Sequence, residues 1–297
     1  LHAASQTDEK RCLWSLMLNQ SYVHGVSDDP LIGQTIGVNF DAAVARWRDR
    51  EALVVRHQNV RWTYGGLQEQ VDAFAAGLLA LGLEPGDRIG IWSPNNSEWI
   101  VTQYATAKAG LVLVNINPAY RISELEYALN KVDCKALVLA ATFKTSDYIG
   151  MIREIAPEVA RCAPGALVAK RLPSLKTLIQ IGAATEPGYY AFGDVAKMGG
   201  DAERDTLRAL SGVLQFDDPI NIQFTSGTTG FPKGATLTHF NILNNGYFVG
   251  EAMKLTEADR LCIPVPLYHC FGMVLGNLAC TTHGAAIVYP GEAFEPL

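Results

Sequence analysis

No apolar run in this 297-residue sequence reaches the roughly 18 residues that a bilayer-spanning helix needs, so a helical membrane protein is not expected. The first ten residues hold Asp8 and Glu9 and lack an apolar centre, so they do not read as a signal peptide. Positive charge is in short supply: 24 Lys and Arg face 30 Asp and Glu, for a formal net charge of −6, and no long basic stretch occurs. Binding to nucleic acid by neutralising phosphates is therefore not expected. The six cysteines, at 12, 134, 162, 262, 270 and 280, form no C-x-x-C pair and have no histidine cluster beside them. That spacing argues against a disulfide framework and against a structural zinc, and no metal-ligating set is assigned. The thiols read as buried or incidental in a reducing compartment, the cytoplasm, with the mitochondrial matrix as the alternative. Internal repeats and low-complexity tracts are also missing, and the chain opens on Leu1 rather than Met.

What is present fits a globular protein with a large core or two domains: 48% hydrophobic and 18% charged residues. Residues 1–38 read as a mixed lead segment, broken by Asp28-Asp-Pro30 and Gly33. From Phe40 the pattern is regular. A helix is expected over 40–48, then short strands at Glu51–Val55 and Val60–Trp62. Thr63 is placed to cap a helix whose Leu67, Val71, Phe74, Leu78 and Leu81 recur at steps of three and four, one apolar stripe. Gly82 and Pro85-Gly86-Asp87 stop it. Strands follow at Arg88–Trp92, Leu111–Asn115 and Lys135–Ala140. Between them lie a helix over Glu98–Lys108 closed by Gly110 and one opened by a Ser123-x-x-Glu126 capping box, with a further helix over 145–155.

Strand and helix alternate, which predicts an α/β fold of parallel sheets flanked by helices, in two subdomains. The first is expected over 39–218, with an irregular junction at 157–218 that holds Pro157, Pro164, Pro173, Pro187 and one strand, Leu175–Ile181. The second is expected over 219–297. It begins with a strand at Ile220–Phe224. Thr238 opens a helix to about Met253, then come a strand at Leu261–Val265, a helix over Phe271–Thr282 and a strand at Ala285–Tyr289. Phe294-Glu-Pro-Leu297 reads as the approach to another helix, so the chain is expected to be part of a longer protein.

The chemistry-bearing stretch is Thr225-Ser-Gly-Thr-Thr-Gly-Phe-Pro-Lys-Gly234, directly after a buried strand. It packs three glycines, four hydroxyls, one Pro and one Lys into ten residues. Glycines leave backbone N–H groups open to a polyphosphate and tolerate positive φ. Thr225, Ser226, Thr228 and Thr229 can donate to phosphate oxygens, and Lys233 adds a compact positive charge. The spacing is not that of a Walker A loop: Gly227 and Gly230 are three apart, Pro232 precedes the Lys and Gly234 follows it.

At these residues the sequence resembles the phosphate-binding signature of the adenylate-forming superfamily, which includes acyl-CoA synthetases, luciferases and peptide-synthetase adenylation domains. Its pattern, T-S-G-T-T-G-x-P-K-G, is matched without a substitution. Pro266-Leu-Tyr-His-Cys-Phe-Gly272 resembles the aromatic/His segment that lines the acyl site in that superfamily. Ser21-Tyr-Val-His-Gly25, Arg50-Glu-Ala-Leu-Val54 and Pro118-Ala-Tyr120 resemble one branch of it, the medium-chain acyl-CoA synthetases. The resemblance implies that Thr225, Ser226, Gly227, Thr228, Thr229, Gly230 and Lys233 hold ATP phosphates. It implies an acyl site at Tyr268, His269, Phe271 and Gly272, with Lys233, Thr225 and His269 closest to the chemistry. The implied reaction joins a fatty acid to coenzyme A at the expense of ATP, with Mg²⁺. Family elements that hold the adenine, the ribose and Mg²⁺, and the small C-terminal domain with its catalytic Lys, have no counterpart in these residues.

His239 and Asn241 read as structural, at the start of the helix after the loop. Asn115-x-Asn117-Pro118 reads as an Asx-turn leaving a strand. Amino-acid adenylation is disfavoured because no Asp lies in Leu267–Gly272 to pair an ammonium group. A non-catalytic fragment that binds nucleotide or acyl chains stays open, as does homo-oligomerisation.

Overall fold

The computed structural model describes residues 28–182, 185–225 and 232–294. The chain divides into two units, Leu1–Ile32 and Gly33–Leu297, and the second holds all the elements below. Most of the lead segment, 1–27, lies outside the described residues.

Helix α1 (Ile36–Trp47) begins a turn earlier than expected because Thr35 caps it, its hydroxyl accepting from Val38 N. Strands β1 (Glu51–Val55) and β2 (Val60–Thr63) form a hairpin. Thr63 then caps α2 (Tyr64–Ala80), accepting from Gly66 N at 3.1 Å. Leu67, Val71, Phe74 and Leu78 are all fully buried along its inner face. Next come β3 (Arg88–Trp92), α3 (Ser97–Ala109) and β4 (Val112–Asn115). Gly110 ends α3 at φ 70°, a left-handed position that favours glycine.

Helix α4 (Ile122–Lys131) corrects one expectation. The box is not Ser123 with Glu126; Arg121 N–H donates to the Glu124 carboxylate at 3.2 Å. Glu126 instead reaches out to Arg171, and the helix starts two residues earlier than a Ser123 cap would allow. Strand β5 (Ala136–Leu139), a small hairpin of β6 (Thr142–Phe143) and β7 (Ser146–Asp147), and α5 (Tyr148–Ile155) follow.

The stretch 157–218 holds more order than its prolines suggested. It carries β8 (Thr177–Gln180), β9 (Tyr190–Ala191), α6 (Phe192–Met198) and α7 (Asp201–Leu210). Phe192 stacks on Phe74 at 4.0 Å, which ties α6 to α2. Then come β10 (Pro219–Thr225), β11 (Lys233–Thr238) and α8 (His239–Met253). Strand β12 (Arg260–Cys262) is shorter than expected, and β13 (Ala286–Tyr289) closes the series. The helix between them is divided, as Cys270–Gly272, a π-helical Met273–Leu278 and Ala279–His283.

Two main sheets result. One has seven strands in the order β11-β10-β4-β3-β5-β8-β9, parallel except for the β10–β11 pair. The other has four, β12-β13-β1-β2, with only β1–β2 antiparallel. Every residue of β4, β5 and β8 is buried, as expected of parallel strands covered on both faces. The boundary expected at residue 219 does not separate the sheets. Strand β10 pairs with β4, and β13 pairs with β1, so each sheet draws on both parts of the sequence.

Candidate functional site

In open α/β sheets a ligand crevice forms beyond the carboxyl ends of the strands, where neighbouring connections diverge. Here β10 turns outward to the edge strand β11, while the connection from β4 runs back past β3 to β5. The exits of β10 and β4 are therefore the place to look.

At the β10 exit, Thr225 is the last residue of the strand and Lys233 the first of β11, and the two are register partners. The Thr225 hydroxyl lies 3.4 Å from the Lys233 carbonyl. Tyr127 of α4 donates to the Pro232 carbonyl at 3.1 Å, holding the return of the loop from the side. Both Thr225 and Lys233 are exposed. Ser226, Gly227, Thr228, Thr229 and Gly230 lie outside the described residues. The strand β11 was not anticipated. Lys-Gly-Ala-Thr-Leu-Thr is too polar to announce itself, and its burial pattern is that of an exposed edge.

At the β3 and β4 exits, two asparagines grip the segment 265–268. Asn95 donates to the Val265 carbonyl and accepts from Leu267 N, both at 2.9 Å. Asn115 donates to the Tyr268 carbonyl at 2.9 Å. These bonds take up backbone groups of Val265, Leu267 and Tyr268, beyond the end of strand β12. The next residues turn sharply into a helix. His269 caps it: Nδ1 accepts from Phe271 N at 3.1 Å. In the neutral ring this leaves the proton on Nε2, as a donor facing away from the helix. Gly272 is required here, since a Cβ would sit 2.5 Å from the Pro266 carbonyl oxygen and 2.8 Å from Leu267 Cα. Tyr268 is half-buried and His269 exposed. Phe271 is 56% exposed, an uncommon state for so large an apolar ring.

Tyr268 lines a cavity of about 250 Å³ together with Asn95, Asn117, Phe143 and Phe294. Its floor is rigid. Trp92 and Tyr148 stack at 3.7 Å, and they donate to the carbonyls of Asn117 (3.2 Å) and Pro118 (2.7 Å). Burial pushes the Tyr148 phenol well above its usual range, so it stays a donor. Asn117 forms the expected Asx-turn, accepting from Ala119 N at 2.9 Å. Asn115 does not, since its amide turns inward. A larger cavity, about 490 Å³, lies at the opposite ends of the strands beside Arg88, Pro219 and His239. Among the described residues its lining includes neither Thr225 and Lys233 nor the aromatic segment.

His239 is structural, as expected. It is fully buried, its Nδ1 accepts from Ile36 N at 3.1 Å, and burial lowers its pKa to about 4. Thr238 and Asn241 cap α8 reciprocally.

Sequence reasoning passed over Asn95, Asn221 and Gln223. A signal existed for the last two. In a strand reading Ile-Asn-Ile-Gln between apolar neighbours, two amides on one buried face demand partners.

A family model described as AMP-binding enzyme matches residues 40–296. The chain belongs to the AMP-binding enzyme family. This family member is 45% identical over 280 residues to the mitochondrial medium-chain acyl-CoA ligase ACSF2 of Rattus norvegicus, covering 93% of this chain and 45% of that protein. Its Homo sapiens counterpart is 46% identical over 280 residues, with the same shares. The AMP-binding chain thus spans a little under half the length of the curated relatives it matches. The crystal structure of the anthranilate CoA ligase AuaEII in complex with anthranoyl-AMP matches with a TM-score of 0.73 at 22% identity, over 90% of this chain and 47% of that one. That likeness bears out the fold, parallel sheets flanked by helices. Among the described residues, no helix is long and apolar enough to cross a membrane.

Proposed function

We propose that the protein is an AMP-forming fatty acyl-CoA ligase that acts on medium-chain carboxylates, with ATP and coenzyme A as co-substrates. One observation carries this reading. The base of the phosphate hairpin and the Tyr268–Gly272 segment lie at the carboxyl ends of adjoining strands of one sheet, in a chain 45% identical to medium-chain acyl-CoA ligases.

The reaction has two steps. A carboxylate oxygen attacks the α-phosphorus of ATP and pyrophosphate leaves. The sulfur of coenzyme A then attacks the acyl carbonyl of the adenylate, AMP leaves, and the thiol proton passes to solvent. A fatty carboxylate is already ionised at neutral pH, so the first step needs no general base. The protein's task is positioning and charge neutralisation.

Lys233 and the hydroxyls of Thr225, Ser226, Thr228 and Thr229 hold the departing pyrophosphate, with Gly227 and Gly230 leaving backbone N–H groups open to it. The Nε2–H of His269 faces the carboxylate end, since Nδ1 is spent on Phe271 N. Tyr268, Phe271 and Gly272 shape the approach of the acyl chain. Among the described residues no group of three or more His, Cys, Asp or Glu gathers, so no residue here is assigned to Mg²⁺ and no step is drawn through it. The relatives' mitochondrial names favour the matrix over the cytoplasm as the compartment.

Incubating the full-length protein with ATP, octanoate and coenzyme A should give octanoyl-CoA and AMP by mass spectrometry. ADP in place of AMP would overturn the reading. The 45% coverage favours one second reading for these 297 residues alone, binding of nucleotide or acyl chain without turnover. Octanoyl-AMP formed by the 297-residue chain itself would remove it.

A further inference from the structure

Between the seven-stranded sheet and the divided helix lies a buried ladder of amides. Asn115, Asn221 and Gln223 are 2%, 1% and 8% exposed, and Met273 is 1% exposed. Asn221 donates to the Leu113 carbonyl at 3.0 Å and to Asn115 Oδ1 at 2.9 Å. Gln223 donates to Asn221 Oδ1 at 3.0 Å and to Met273 Sδ at 3.1 Å. Asn115 donates to the Tyr268 carbonyl at 2.9 Å and to Met273 Sδ at 3.0 Å. Each of the three amides thus spends both N–H groups. The orientation of Asn115 is dictated by its partners, because a carbonyl and a thioether can only accept.

The ladder continues past the helix. Gln103 donates to the Met273 carbonyl at 3.2 Å, Asn277 to Gln103 Oε1 at 2.8 Å, and Tyr289 to Asn277 Oδ1 at 2.8 Å. It therefore runs from β10 through β4 and the π-helical segment to β13 of the second sheet. Apolar side chains of the same size would pack this layer without needing six donors satisfied. A polar network whose three central amides spend every N–H favours one relative placement of the elements it joins.

We propose that Asn115, with Asn95, Asn221 and Gln223, is a positioning network that sets the Tyr268–His269 segment against the strand leading into the phosphate hairpin. This rests on the acyl-ligase reading for what the segment binds, but not for the network itself. The hairpin leans less on distant side chains, since β10 and β11 pair from Pro219↔Thr238 to Thr225↔Lys233 and Tyr127 adds a single bond to the Pro232 carbonyl. Among the described residues the segment has no strand partner, and side-chain amides from far along the sequence locate it. Disturbing the ladder should therefore spoil carboxylate use and spare ATP use.

The test uses the full-length protein with two substitutions. Asn115→Leu keeps the branched four-atom shape, with some added bulk, and removes every bond of that amide. Met273→Leu is milder and removes only the shared sulfur acceptor. In ATP–pyrophosphate exchange, Asn115→Leu should raise KM for octanoate about tenfold while KM for ATP stays within about twofold, the scale of one lost neutral hydrogen bond. Met273→Leu should shift the same ratio in the same direction, less. Hydrogen–deuterium exchange should quicken in residues 265–273 and stay unchanged in β10 and β11. An equal rise in both KM values, or unaltered protection over 265–273 in a folded Asn115→Leu protein, would overturn the proposal. If the wild type activates no carboxylate, the ligase reading fails, and deuterium exchange still decides whether Asn115 holds the segment.

Discussion

The β10–β11 hairpin and the aromatic segment sit at neighbouring strand exits and are built by opposite means. The hairpin is local: two consecutive strands pair, and Thr225 meets Lys233 because the register requires it. The segment is assembled from a distance. Asn95 and Asn115 lie 170 and 153 residues before the carbonyls they hold, and Gly272 lets the helix start press against Pro266 and Leu267. Under the proposed function, one element that carries its own geometry is joined to one that borrows it. Substitutions should therefore act locally in the hairpin and over a wider region in the segment.

The largest effect is expected at Gly272. A Cβ there meets backbone at 2.5–2.8 Å, which cannot yield as a flexible side chain would. Gly272→Ala should lower stability by about 3 kcal/mol in urea unfolding, the upper range for overpacking, and abolish octanoate-dependent exchange. Wild-type behaviour would show that the close approach does not matter.

His239 sharpens the comparison from the other side, because it anchors the helix that leaves the hairpin. Its folded pKa, about 4, lies below the ordinary value of 6.5, so the unfolded chain takes up the proton first as pH falls. Its contribution to stability is complete above about pH 6.5, declines between 6.5 and 4, and levels off below. Between pH 7 and 5 the wild type should lose about 2 kcal/mol through this group. His239→Gln should lack that share of the slope. Parallel pH profiles in the two proteins would remove His239 from the explanation.

Lys233 tests the hairpin alone. It is exposed and its backbone does the pairing, so Lys233→Ala should leave the fold intact. It should lower kcat/KM for ATP by about 1.5–3 kcal/mol equivalent, one charge-assisted contact, with KM for octanoate unchanged. The smallest effect is expected at Thr238. Thr238→Ala removes the cap of α8 and should cost about 1 kcal/mol of stability without altering either KM.

Legibility in the sequence followed the same division. Helix α2, strand β3 and the capped helix α8 were readable because apolar spacing and local capping decide them. Strand β10 before the glycine-rich stretch was readable too, but β11 was not, since an exposed edge strand has no apolar pattern to betray it. The capping box at Ser123 failed because Glu124, not Glu126, lay within reach of an N-terminal N–H. Asn115 and Asn117 show the limit most plainly. Both stand in one short motif at the end of one strand. Asn117 makes the local turn that its type favours, while Asn115 bonds a residue 153 positions away. No local rule separates them, because the difference lies in which element the fold brings alongside. The π-helical turn after Gly272 escaped for a similar reason: it accompanies the close packing of Gly276 against Ile263 and the bonds to Met273, not any local signal.

The most direct test is ATP–pyrophosphate exchange by the full-length protein with octanoate, with an amino acid such as leucine, and with no carboxylate. Exchange that depends on octanoate, is lost without it and is weakened by Lys233→Ala is the expected result. Exchange driven by leucine, or exchange with octanoate that Lys233→Ala leaves unchanged, would contradict the assignment of a fatty carboxylate to the aromatic segment and of ATP to the hairpin.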